Sequence, residues 1–395
     1  MPFALPAGPA RFGIVYAALY LGTGIATPYI PVWFRSEGLS GPEIGIVLAV
    51  PMLARVATAP IVAWWADRFA LRRTAPAILA GVAAIALGLL LVADGFAATL
   101  FLWFAANTAL GSASPLIDVV VLRRARREKF AYAIPRGIGS AAYVIANIAT
   151  GFMLLRHGPQ IAVIGAAAAA LLSVLAIHRL IPADAVHDRE AAAIQSAAHR
   201  SRLLSSPDFL LLLLSGGLIQ GANAYYYGFS ALLWQAQGIG SDTIGLLWGV
   251  GVACEVAFLW FLDPFRRALG PERMLMVAGA ASVLRWIMLS LSPPLALLWP
   301  LQALHALTLS AAFVASLQLA ERHSPARDAS AAQQLNAAIG TGLVMGIGTL
   351  AGGPMYAVAG PSGYLAMATM AALGSFGAWL LLRRLRGRRH AECPY

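Results

Sequence analysis

The sequence predicts an all-α polytopic membrane protein, with twelve transmembrane helices in two pseudo-symmetric six-helix bundles. Three observations carry that expectation. The 395-residue chain is 59% hydrophobic and only 11% charged, with a mean hydropathy of +0.73, far more apolar than a soluble globular chain. Apolar runs of about 20 residues, the length that crosses about 30 Å of hydrocarbon, recur along it. Positions 200 apart also repeat: Gly38, Ile44, Gly45, Val50, Arg73 and Arg127 match Gly238, Ile244, Gly245, Val250, Arg273 and Arg327, and Phe34 meets Trp234.

The apolar runs place spans at 11–34, 43–66, 74–93, 97–121, 134–155, 160–180, 208–235, 243–263, 273–291, 295–320, 331–355 and 362–382. The longest polar stretch lies after the sixth and carries Asp184, Asp188, Arg189, Glu190, Arg200 and Arg202. The expected organisation is therefore an N-terminal bundle over 1–182, a cytoplasmic linker over 183–207, and a C-terminal bundle with a basic tail over 208–395. No segment is left over for a soluble catalytic domain.

Orientation follows from the arginines, because short cytoplasmic loops carry the Lys/Arg excess. With the N-terminus inside, the inner loops hold Arg68, Arg72 and Arg73, then Arg123, Arg124, Arg126, Arg127, Lys129 and Arg136. In the second half they hold Arg266, Arg267, Arg273, Arg322 and Arg327, with Arg383, Arg384, Arg386, Arg388 and Arg389 in the tail. Only Arg35 and Arg156 fall outside. Both termini are expected in the cytoplasm of a bacterial inner membrane.

The formal net charge of +11 reads as topology rather than as a nucleic-acid surface, because the basic residues sit in short loops and form no polar face. The first residues, MPFALPAGPAR, lack the basic n-region of a cleaved signal. Cys254 lies inside an apolar run and Cys393 near the end of the chain, so no structural disulfide is expected. Metal, nucleotide and phosphate motifs are missing, which leaves no cofactor and points to an ion gradient rather than ATP as the energy source.

Ionisable groups within the spans are few: Arg55, Asp118, Glu255, Arg285 and His305. Each costs about 2.5 to 3.5 kcal/mol at a helix centre on insertion scales, so such groups mark substrate or proton routes. Arg55 and Glu255 occupy equivalent positions of the two halves. Glu255 is expected to carry a proton, with Asp118 and Arg285 as further coupling residues; a static Glu255–Arg285 pair is the structural alternative. His305 either binds substrate, relays protons, or is a neutral hydrogen-bonded histidine. Asp118 also reads as an interfacial partner of Arg123 or Arg136. Arg55 suits a substrate carboxylate, which a guanidinium grips with two hydrogen bonds, or pairs with Asp118 or a carbonyl.

Around these lie Gln220, Asn223 and the triplet Tyr225, Tyr226 and Tyr227. Successive helical residues point 100° apart, so one or two of the tyrosines face a cavity; Tyr226 and Tyr227 join Gln220, Asn223, Arg55 and His305 as expected substrate contacts. An aromatic wall with a cationic anchor suits an aryl carboxylate. Trp33 and Trp234, at span ends, read as interfacial belt residues.

PVWFRSEGLSGPEIG at 31–45, SPLIDVVV at 114–121, RGIGSAAYV at 136–144 and GANAYYYGFSALLWQAQG at 221–238 carry a resemblance over most of the chain. With LRW at 284–286 and LQALHALT at 301–308, they resemble the phenyl propionate permease branch of the major facilitator superfamily. The resemblance implies two six-helix halves, a site between them near the midplane, and alternating access. Asp67, Arg68, Arg72 and Arg73 match that superfamily's gating-loop pattern GxxxDRxGRR, with Ala63 and Ala70 near its glycines. The set Asp118, Arg136, Glu255, Arg285 and His305 is similar in placement to the charges of lactose permease, without the acidic residue that follows its histidine.

The resemblance implies a monomeric transporter for a small organic anion, with protons as the coupling ion, the lipid bilayer as its surroundings and no nucleic acid. Two readings compete with proton symport of an organic acid. The first is a proton-antiport exporter of drugs or metabolites, whose Gly-Pro signature in span 5 is absent from ATGFMLL at 149–155 although Gly353 and Pro354 stand in span 11. The second is a non-transporting receptor or membrane enzyme, for which no catalytic pair or folded extramembrane domain stands out.

Overall fold

The computed structural model describes residues 8–183, 203, 205–324 and 329–392. The expected linker charges from Asp184 to Arg202, with Arg327 and Cys393, lie outside the described residues. The chain is helical throughout its elements. In order these are α1 (Pro9–Ser36), α2 (Gly41–Ala66), α3 (Thr74–Leu90), α4 (Phe96–Glu128), α5 (Ala133–His157) and α6 (Gln160–Leu180), then α7 (Pro207–Gly221), α8 (Ala224–Ala236) and α9 (Ser241–Phe261). A short α10 (Asp263–Leu269) precedes α11 (Pro271–Ser290) and α12 (Leu295–Ala303). After a π-helical turn at Ala306–Ala311 come α13 (Ala312–Arg322) and α14 (Ala329–Ala337); after a second, at Ala338–Val344, come α15 (Met345–Ala359) and α16 (Tyr364–Glu392).

Ten stretches among the described residues are long and apolar enough to cross a membrane. The last, Ala332–Arg384, is 53 residues long and turns at Gly360–Gly363, so it holds two crossings, and the shorter apolar α3 supplies one more. The twelve expected crossings are thereby accounted for. Large apolar side chains such as Ile61, Trp64, Phe101, Ile145, Leu155 and Phe261 point outward. That surface suits hydrocarbon, where every backbone polar group must be satisfied inside its own helix.

The chain divides into two compact units, Met1–Arg189 with Ser230–Gly249, and Glu190–Phe229 with Val250–Tyr395. In the first, α1 lies against α5 and α6, α3 against α4 and α6, and α2 against α4. Phe12, Val15, Leu19, Ile117, Val121 and Ile177 form its core. Lipid removes the hydrophobic drive for helix association, so close packing of small residues carries it. At Gly24 a Cβ would meet the Tyr143 carbonyl oxygen at 2.5 Å, and at Gly139 it would meet Tyr16 and Tyr20 at 2.9 Å. In the second unit, α16 packs on α7 and α11, and α13 on the same two helices; Phe209, Leu212, Leu275, Ala315 and Leu319 fill the space between.

The 200-residue repeat is visible in local geometry. Gly38 and Gly238 both take positive φ, 86° and 82°, a conformation that glycine adopts without a Cβ penalty. At each, two backbone bonds close the same helix terminator: Gly38 N–H to the Arg35 carbonyl with Leu39 N–H to Phe34, and Gly238 N–H to Gln235 with Ile239 N–H to Trp234. This paired pattern satisfies carbonyls that a helix end leaves open. The same turn then feeds α2 and α9, where Ser40 and Glu43 form a reciprocal cap on α2. Trp33 and Trp234 are enclosed, at 3% and 2% exposure, so the expectation that they form an interfacial belt is corrected: both rings are packed inside the protein, Trp33 against Phe34.

Candidate functional site

The stretch from Pro207 to Ala236 is the most enclosed of the apolar runs, with 78% of its most apolar window buried. It breaks at Ala222–Asn223, between α7 and α8. Asn223 patches the break, its amide donating to the Gln220 carbonyl at 3.0 Å and to the Thr308 carbonyl at 3.4 Å. Gln220 donates to the Gly216 carbonyl and to Ser316 Oγ. Both side chains, expected as substrate contacts, are fully buried and spent on protein partners.

The tyrosine triplet fans out as a helix requires. Tyr225 donates to the Gly360 carbonyl at 2.6 Å and stands edge-on to Tyr364. Tyr226 donates to Gln302 Oε1 at 2.8 Å and lies under the Arg285 guanidinium, 4.5 Å from its ring centre. Tyr227 places its hydroxyl 3.4 Å from His305 Nε2. Tyr226 and Tyr227 thus converge on one histidine, while Tyr225 faces away.

Three ionisable groups meet there. Glu255, from α9, brings Oε1 within 3.0 Å of His305 Nε2 and accepts at Oε2 from Ser310 Oγ, also at 3.0 Å. Arg285, from α11, reaches His305 Nδ1 at 2.7 Å, Thr308 Oγ1 at 3.0 Å and Gln302 Oε1 at 3.1 Å. Arg285 and His305 are 0% and 2% exposed, and the Glu255 side chain 17%. Among the described residues Arg285 has no carboxylate within ion-pair distance; His305 stands between it and Glu255.

That order settles the tautomer. A guanidinium only donates, so His305 Nδ1 must present its lone pair to Arg285, and the ring hydrogen is left on Nε2, facing Glu255. The imidazole cannot take a second proton at Nδ1 without opposing an Arg285 N–H. The π-helical turn after His305 adds a residue to the turn and brings Thr308 and Ser310 to opposite ends of the chain of contacts; such turns recur at functional sites.

In the first unit, Asp118 Oδ1 accepts from Tyr16 Oη, from Tyr132 Oη at 2.8 Å and from Arg136 Nη1 at 3.2 Å. The Arg136 guanidinium also covers the rings of Tyr20 and Tyr16. Of the two arginine partners the sequence allowed, the structure has Arg136. Arg55 is exposed on α2 and donates from Nη2 to the Gly111 carbonyl at 3.1 Å; no carboxylate among the described residues lies in reach of it. In the expected gating loop, Asp67 caps α2, Arg68 lies over Trp64, 3.6 Å from the ring centre, and Arg72 lies within the turn between α2 and α3. Arg73 donates to the His178 and Ile181 carbonyls at the end of α6.

Sequence reasoning set Trp286 among the aromatic residues around the charges and gave no role to Gln302, Thr308, Ser310 and Tyr364. Thr308 and Ser310 carried a signal, as polar residues three and five positions after His305 in an apolar run. Tyr364 carried none.

The model of the MFS_1-like family matches residues 10–365. The chain is 27% identical over 369 residues to the "Probable 3-phenylpropionic acid transporter" of Escherichia coli (strain K12), covering 90% of this chain and 93% of that relative. It is 28% identical over 348 residues to the "Maltose permease" of Geobacillus stearothermophilus, covering 87% and 86%. In fold it is similar to the nucleoside transporter NupG, with a TM-score of 0.78 at 18% identity over 95% of this chain and 98% of that one. It is also similar to a bacterial homologue of the lysosomal transporter Spinster, with a TM-score of 0.71 at 13% identity over 95% and 96%. With twelve apolar crossings and a buried polar cluster inside them, the chain belongs to the MFS_1-like family and is a multi-pass membrane transporter of the major facilitator kind, not an enzyme.

Proposed function

We propose that the protein is a proton-coupled symporter of a small organic acid, with an aromatic acid favoured, working by alternating access. The observation that carries the reading is the line Glu255, His305, Arg285: a carboxylate that faces a histidine with a settled tautomer, backed by a buried guanidinium. Glu255 carries the proton, His305 and Arg285 set its affinity, and Tyr226 and Tyr227 flank the histidine. Arg55, with one carbonyl partner and an exposed guanidinium, anchors the substrate carboxylate. Gln220 and Asn223 hold the broken helix that presents the tyrosines. Asp118, held by two phenols and Arg136, shapes the first unit and supports coupling from there. The loop Asp67, Arg68, Arg72 and Arg73 acts as a gate tied to α6.

The reading takes both termini as cytoplasmic in a bacterial inner membrane, the chain as a monomer, and the halves as 1–182 and 208–395. The substrate class is favoured by the printed name of the E. coli relative. The test is uptake of labelled 3-phenylpropionate into proteoliposomes under an imposed inward proton gradient, with maltose as the comparison substrate because of the second relative. Accumulation of the acid above equilibrium supports the reading. Accumulation driven only by an outward proton gradient would replace it with antiport.

A further inference from the structure

The second unit contains a group of buried donors that the transport reading does not use. Arg285 Nε, Trp286 Nε1, Gln302 Nε2 and Tyr364 Oη are all buried and have no hydrogen-bond partner among the described residues. The first three can only donate, and the phenol donates as readily as it accepts. The Gln302 amide orientation is forced: its Oε1 faces Arg285 Nη2, which can only donate, and also receives Tyr226 Oη, so the NH2 group is the end left over.

These side chains touch one another. The Arg285 guanidinium lies 4.8 Å from the Trp286 ring centre. The Trp286 and Tyr364 rings stack at 5.7 Å with only 4° between their planes. Tyr226 packs on Trp286 from one side and bonds Gln302 on the other. Their exposures are 0% for Arg285, Trp286 and Gln302, and 1% for Tyr364. A buried donor without a partner loses the water it had in the unfolded chain and gains nothing in return. Four such donors, one of them on a buried guanidinium and the others on side chains packed with it, ask for a species that only accepts and is negative.

We infer that Arg285, Trp286, Gln302 and Tyr364 form an internal site for one small monoanion, either a halide or the carboxylate group of an organic acid. This rests on the symport reading only in the second of those sources. The charge balance adds a linkage. With Glu255 ionised, the charge of Arg285 is answered through His305; once Glu255 is neutral, that guanidinium has no counter-charge, and the anion supplies one. Anion and proton then bind together because each relieves the other's cost.

The experiment uses the purified full-length protein in detergent and halide-free sodium sulfate buffer without any carboxylate, with no membrane or gradient. Tryptophan fluorescence and the thermal midpoint are followed during separate titrations with chloride and with 3-phenylpropionate. A saturable response to at least one anion is expected. Tyr364→Phe, which removes only the hydroxyl, should weaken it about 3- to 10-fold, and Arg285→Gln by more than about tenfold. Glu255→Gln, a permanently neutral side chain, should tighten it about tenfold. Chloride binding alone identifies a resident inorganic ion; binding of the acid, with chloride competing, identifies the headgroup site of the carried substrate. No saturable response to either anion, or unchanged affinity in a folded Tyr364→Phe, would overturn the site. Because binding is read without transport, failed uptake with binding intact sinks the symport reading alone.

Discussion

His305 Nε2 lies 3.0 Å from Glu255 Oε1, while Nδ1 of the same ring is 2.7 Å from Arg285 Nη1. The imidazole therefore carries an interaction between two residues that do not touch. If it is a neutral spacer and not the titrating group, His305→Gln should lower the uptake rate yet leave a single-proton pH profile, whereas Glu255→Gln should flatten the profile. Both profiles come from initial rates in proteoliposomes over a range of external pH.

Arg285 is expected to be the least replaceable residue of the cluster. It makes three hydrogen bonds within a fully buried space. A lysine cannot supply that planar fork, and each buried partner left unmet costs about 1 to 3 kcal/mol. Arg285→Lys should lower the thermal midpoint and cut uptake at least about tenfold, and Arg285→Leu should do worse on both counts. A lysine variant with wild-type stability and transport would show that the fork is not needed.

Asp118 is held by Tyr16, Tyr132 and Arg136 in the first unit. These donors tie α4 to α1 and to the start of α5, so a role in packing is expected. Asp118→Asn should reduce stability by about 1 to 3 kcal/mol while the pH profile of the remaining uptake stays in place. A displaced profile would return Asp118 to the proton route. The measurement pairs thermal unfolding with uptake on the same preparation.

At the α1–α5 contact, a Cβ on Gly24 would meet backbone, not a side chain that could rotate away. Gly24→Ala should push the helices apart and cost about 1 to 3 kcal/mol, the usual penalty for overpacking. Thermal unfolding in detergent checks it, with Gly88→Ala as the control, because nothing lies within 4 Å of a Cβ there.

The span boundaries were legible where lipid and helix end together. The sixth span, read as 160–180, is the helix Gln160–Leu180. They were less legible where a helix leaves the bilayer and continues in water: span 4, read as 97–121, runs on to Glu128 through RRARRE. Hydropathy reports hydrocarbon, not hydrogen bonding, so it stops at the first arginine. The helix ends at Gly38 and Gly238 were marked by the repeat, because a positive φ calls for glycine in both copies.

The candidate cluster was legible in its members and not in its wiring. Glu255, Arg285, His305, Tyr226 and Tyr227 stood out because each is polar or ionisable where lipid favours neither. Placing His305 between Glu255 and Arg285 needed the crossing of three helices, and the reach of Ser310 and Thr308 needed the π-helical turn at Ala306–Ala311. A single extra residue in a turn leaves no pattern in an apolar run. Gln220 and Asn223 were legible as polar residues beside a tyrosine triplet but not in their partners: Asn223 bonds across the break in the helix, and Gln220 reaches Gly216 and Ser316.

The most direct test of the account compares wild type and Glu255→Gln in proteoliposomes under an imposed inward proton gradient, measuring both net accumulation and exchange of labelled 3-phenylpropionate. With Glu255 as the proton carrier, the variant should lose gradient-driven accumulation and keep exchange, since a neutral side chain still lets the loaded protein change conformation. Full accumulation in the variant would contradict the account and move the coupling proton away from the Glu255–His305–Arg285 line.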